Sequence, residues 1–121
     1  MKVTIINFGQ ITSQMSAPKS IATIGEQLRA LREKANLSLR EVASNINMDT
    51  SLLGKIERNE RQPTKEKVKQ IAKFFKVNEK QLIKEMLSDQ IAYKIIEEDA
   101  DLDTLKVAED KVSYLKKLRH G

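Results

Sequence analysis

The chain has 121 residues, 32% of them charged and 40% hydrophobic, with 22 Lys and Arg against 17 Asp and Glu. That length suits one small domain with appendages, and the absence of Cys excludes a disulfide framework and a thiolate metal site and fits a reducing compartment. No apolar run approaches the roughly 18 residues that a membrane span needs, and no signal-peptide core opens the sequence.

The first 22 residues do not read as core. Val3 to Phe8 (VTIINF) is β-branched and aromatic, which predicts a short strand, and Thr12 to Ser20 is small, polar and Pro-containing, which predicts a linker. A lone strand has no partner in an otherwise helical chain, so residues 1–22 are expected to form a flexible arm or to pair between molecules. Two Lys lend thin support to a minor-groove arm.

Thr23 followed by Glu26 is a capping box that opens a first helix over Ile24 to Ala35, with Ile24, Leu28 and Leu31 as its apolar stripe. Ser38 with Glu41 is a second box, opening a helix at Leu39 whose inner face is Val42, Ala43 and Ile46. Asn47 tolerates positive φ and interrupts it. Asp49 then caps a third helix over Thr50 to Arg58, with Leu53 and Ile56 buried. Two short helices, a turn of about three residues and a small residue at the crossing make a helix-turn-helix. Its outer face reads Thr50, Ser51, Gly54, Lys55 and Arg58, short or basic side chains of the kind that reach base edges and phosphates.

Glu60 to Pro63 reads as a loop. Thr64 caps a fourth helix carrying Val68, Ile71, Ala72 and Phe75, and Asn78 caps a fifth lined by Leu82, Ile83 and Met86. From Asp89 the pattern changes. Ile91, Ile95 and Ile96 form one amphipathic stretch, the acidic run Glu97 to Asp103 breaks it, and Leu102, Leu105, Ala108, Val112, Leu115 and Leu118 follow at helical spacing. That last stripe is either a helix folded onto the bundle or an interface between two chains. The preceding segment already has enough apolar residues to close a core, which favours a dimer contact through Leu102, Leu105, Val112 and Leu115.

Charge divides the chain at the same place. Residues 23–88 hold 14 basic against 9 acidic residues, and residues 89–121 hold 6 against 8. A polyanion partner is therefore expected on the first block and not on the second. No paired carboxylates in a cleft, Gly-rich phosphate loop or nucleophile–base pair supports an enzyme. The acidic run lacks the spacing and the Gly of a calcium loop, and no cofactor or metal is called for.

The segment from Ile24 to Leu87 resembles the XRE family of transcription regulators, the Cro and phage-repressor type. The most specific pieces are DTSLLGKIERNERQPT (residues 49–64) and LREKANLSLREVA (residues 31–43). The resemblance implies an all-α, lambda-repressor-like five-helix DNA-binding domain over residues 23–88, with residues 89–121 as a C-terminal helical extension. It sets Thr50, Ser51 and Lys55 on the major-groove face of the recognition helix, with Gly54 where Ser is common. Leu39 replaces a polar residue, and Asn47 and Asn59 replace turn glycines. Arg32 and Glu57 match an ion pair that joins the first helix to the recognition helix in the family.

On this reading the protein is a homodimeric regulator of bacterial or phage origin, acting in the cytoplasm on a pseudo-palindromic operator in double-stranded DNA. Thr50, Ser51, Gly54 and Lys55 meet bases, while Arg40, Arg58, Arg61 and Lys65 hold the DNA backbone. Two alternatives stand beside it. One is an antitoxin that caps a toxin through its C-terminal helices and represses its own operon; the other is a controller of a restriction–modification operon.

Overall fold

A computed structural model describes residues 21–120, and the strand and linker expected within residues 1–20 lie outside that range. Among the described residues there are six helices and no strand: α1 (Ile24–Lys34), α2 (Leu39–Asn45), α3 (Thr50–Glu57), α4 (Lys65–Phe75), α5 (Glu79–Glu97) and α6 (Asp103–His120). The chain is all-α. It divides into two compact units, one reaching Asp89 and one starting at Gln90.

Each helix start has a local cause. The amide of Glu26 donates to Thr23 Oγ1 at 3.2 Å while the Thr23 amide donates back to Glu26 Oε1 at 3.1 Å. Ser38 and Glu41 form the same reciprocal pair at 3.0 and 2.7 Å. Asp49, Thr64 and Asn78 each accept from the amide three residues on, which opens α3, α4 and α5.

The helix ends share one device. Asn36, Asn47, Asn59, Lys76 and Asp99, which follow α1 to α5 in turn, all have φ between 52° and 67°. After each, the next amide reaches back five residues: Leu37 to the Arg32 carbonyl, Met48 to Ala43, Glu60 to Lys55, Val77 to Ala72 and Ala100 to Ile95. These are Schellman closures made without glycine.

In the first unit the core collects the inner faces of α1 to α5. Leu28, Leu31, Val42, Ala43, Ile46, Leu53, Ile56, Val68, Ile71, Ala72, Leu82 and Met86 are all buried. Thirteen buried apolar side chains, Ile24 included, give this unit its own core. The N-terminus of α1 is anchored on α5, where the Ile24 amide donates to Asp89 Oδ2 at 2.9 Å and Gln27 Nε2 donates to Glu85 Oε1 at 3.0 Å. Gly25 stands where α1 meets the end of α3. A Cβ there would overlap the Ile56 carbonyl oxygen and lie 2.9 Å from Asn59 Oδ1.

The pattern change at Asp89 is not a helix break. No Gly or Pro interrupts residues 79–97, so α5 continues to Glu97 and turns at Asp99. In α6 no residue is buried.

Gly25→Ala is expected to destabilise the protein by about 2–3 kcal/mol in urea unfolding, despite Ala's better helix propensity, because backbone cannot yield to the new methyl. Asp89 gives a pH signature. Burial, with Glu85 and Glu26 nearby, pushes its carboxyl above the usual range, and the Ile24 amide offsets this only in part. The native state therefore holds that proton more tightly than the unfolded state, and stability is lost as pH rises from the ordinary value of about 3.9 through the raised one. The stability of Asp89→Asn relative to wild type is expected to improve across that window, read from urea melts at acid and neutral pH.

Candidate nucleic-acid interface

The interface is built from the inside of α3 outward. Leu53 and Ile56 are fully buried, and Glu57 is buried beside them. Glu57 does not lie there unpaired. Arg32 Nε donates to its Oε2 at 2.8 Å and Arg32 Nη2 to its Oε1 at 2.9 Å, a fork-on-fork pair with the side chains 14% and 5% exposed. The remaining nitrogen, Nη1, donates to the Leu37 carbonyl at 2.9 Å. One guanidinium thus joins α1, the loop into α2, and α3. Hydrogen bonding to the Glu57 carboxylate, with Coulomb attraction, outweighs burial and raises the pKa of Arg32.

Opposite this seam, Thr50, Ser51, Lys55 and Arg58 are exposed. Spread over about two turns, with Lys55 four residues after Ser51 and Arg58 three after Lys55, they form a single face of short hydroxyls and cations. Gly54, expected among them, is buried. Its missing Cβ would lie 3.1 Å from Arg58 Nη1 and 3.6 Å from Leu39 Cδ1, so both side chains pack close to it. Arg58 itself is drawn aside by Glu60, with Nε 3.0 Å from Oε2. Leu39 packs against the core, which fits an apolar residue at that position. Arg40, Arg61 and Lys65 are exposed.

Three positioning residues were not legible from spacing. Lys67, on α4, donates from Nζ to the carbonyls of Ile46 and Asn47 at 3.0 and 2.9 Å and to Gln70 Oε1 at 3.2 Å. It closes the end of α2 and fastens the turn. Asn59 accepts from the Thr23 hydroxyl at 2.6 Å and lies 3.4 Å from Glu26 Oε2, tying the exit of α3 to the first cap. Gly25 permits that approach. Only Gly25 left a signal, a glycine in the first turn of a helix.

Residues 28–82 match a family model described as Helix-turn-helix. Residues 28–82, from α1 to the start of α5, are thus similar to the helix-turn-helix family. The solved structure of a SinR protein/SinI protein complex is similar at 19% identity, covering 78% of this chain and 99% of that chain with a TM-score of 0.48. No curated protein matches the chain. Among the described residues, no helix is long and apolar enough to cross a membrane, and no cluster of three or more His, Asp or Glu is placed to hold a metal.

In this helix-turn-helix domain Arg32→Ala or Glu57→Ala leaves its partner's charge buried and is expected to cost about 3–5 kcal/mol in urea unfolding. Replacing both with apolar residues, Arg32→Met with Glu57→Leu, is expected to cost far less than the sum, the mark of a coupled pair.

Proposed function

We propose that the protein is a transcription regulator that binds a pseudo-palindromic operator in double-stranded DNA as a homodimer, in the bacterial cytoplasm. In each copy α3 lies in the major groove. Lys55 donates to guanine O6 and N7, and Thr50 and Ser51, in the first turn, serve bases or the adjacent phosphates. Arg40, Arg58, Arg61 and Lys65 hold the backbone and set the register. Gly54, with no side chain, lets a base or the DNA backbone approach α3 closely once Arg58 turns to a phosphate.

The observation that carries this reading is the division of α3 into two faces. Glu57 is held inward by Arg32, and Thr50, Ser51 and Lys55 are turned to solvent. A helix held that firmly from behind can present its front to a groove with little ordering left to do on binding. One domain of this size covers few base pairs, so useful specificity calls for two copies on half-sites about one helical turn apart.

The exposed Leu102, Leu105, Val112 and Leu115 support a protein contact through the C-terminal helices. The same exposure favours, as a second reading, an antitoxin that holds a different protein there. Purification from the native host separates the two: a stoichiometric foreign partner favours the antitoxin, and a clean homodimer favours the regulator.

Selection of bound sites from random DNA tests the first reading. It should return an inverted repeat, and equal affinity for all duplexes would refute sequence-specific regulation. On the selected site, Lys55→Ala is expected to cost about 1–3 kcal/mol and to relax preference at one base position. Arg61→Ala is expected to weaken all sequences alike and to lower the slope of log K against log salt by about one.

A further inference from the structure

Positive charge is concentrated on one stretch of the domain. Residues 65–84 hold seven Lys against two Glu, an excess of five that equals the net charge of the whole chain. Residues 49–61, which carry α3, hold Lys55, Arg58 and Arg61 against Asp49, Glu57 and Glu60, an even balance. The segment proposed to face the bases is thus formally neutral, and the cations that a polyanion would meet lie on α4 and the start of α5.

Six of the seven lysines are exposed; the seventh, Lys67, is the fastener of the turn after α2. Lys65, Lys69 and Lys73 stand four residues apart, on one face of α4. Lys80 and Lys84 repeat that spacing on α5. Lys65, Lys69 and Lys80 line one open groove with Asn78 and Ile83, where Glu79 is the sole acid. Among the described residues the ion pairs take Arg29, Arg32, Arg58 and Lys94, so none of the six exposed lysines is held by a carboxylate.

A row of ammonium groups that repeats with about 6 Å of helix rise suits a chain of phosphates better than a single anion. Lysine is a point charge on a flexible stem, so such contacts position a duplex without reading its bases. Lys65 already belongs to the proposed DNA-backbone set, and the groove runs on from it to Lys69 and Lys80. We infer that Lys69, Lys73 and Lys80 continue the duplex contact from Lys65 and form a sequence-independent phosphate-binding surface. They supply a salt-dependent part of the affinity that α3, with its balanced charge, does not. The inference rests on the DNA-binding reading above and divides its labour: α3 selects the sequence, and the row on α4 and α5 holds the polyanion whatever its sequence.

Salt titrations of the full chain on DNA test it, with charge removed at three exposed positions outside the contacts assigned earlier. Lys69→Gln with Lys73→Gln and Lys80→Gln is expected to lower the slope of log K against log salt by about 2–3. The fall should be the same on the selected operator and on an unrelated duplex, so that the ratio of the two affinities is unchanged. Arginine at the same three positions is expected to keep the wild-type slope. Each single Gln substitution is expected to lower the slope by about one, which decides the matter should the triple variant unfold. A control with the same net charge, Lys94→Gln with Lys106→Gln and Lys117→Gln, is expected to leave the slope close to wild type. A fall in the control as large as in the first variant would show net charge acting at a distance and overturn the inference. Unchanged slopes in the folded Lys69, Lys73 and Lys80 variants would also overturn it and point the row to an acidic protein instead. Either result leaves sequence recognition by α3 standing. Equal affinity of the wild type for all duplexes refutes that recognition alone, with the slopes still deciding the inference, and a wild type that binds no duplex refutes both.

Discussion

Arg32 is the residue on which the rest of the domain hangs. A carboxylate buried on the inner side of α3 is a heavy liability unless both its oxygens are matched, and the planar guanidinium matches them both at once. Its remaining nitrogen takes the Leu37 carbonyl, so the loop between α1 and α2 is positioned by the same group. An ordinary apolar pair could fill this volume and leave the domain as stable. It would not prescribe the angle of α3 as tightly, because only the bidentate pair has one good geometry. The proposed reading of DNA depends on that angle.

Much of the fold was legible because its causes are local. Thr23 with Glu26, Ser38 with Glu41, and Asp49, Thr64 and Asn78 announce helix starts through bonds that span three residues, and short bonds leave short patterns. Asn47 was readable as a turn residue for the same reason, while Asn59 was marked only by the family resemblance. Lys76 was not, since nothing about a lysine marks it for the left-handed region, where it nevertheless sits at φ 57°. The continuity of α5 past Asp89 was missed because a change in which residues are apolar looks like a boundary, even where the backbone has no cause to stop.

The interface shows the complementary limit. Thr50, Ser51 and Lys55 could be placed on the outer face of α3 by counting residues along one helix. The burial of Gly54 could not be read that way, because what packs over it is the Arg58 side chain, which Glu60 holds. Lys67 and Gly25 act across the chain, on the ends of α2 and α3, and their partners are separated from them by about 20 and 30 residues. Family resemblance supplied the Arg32–Glu57 pair, which spacing alone would not have singled out among so many charges.

Lys67 carries one more consequence. A cation whose three donors are taken up by Ile46, Asn47 and Gln70 is a structural fastener, and Arg32 is another. The formal charge of the domain therefore overstates its electrostatic footprint. On the proposed reading, fewer condensed counterions leave the duplex when this protein binds than a tally of its lysines and arginines would suggest.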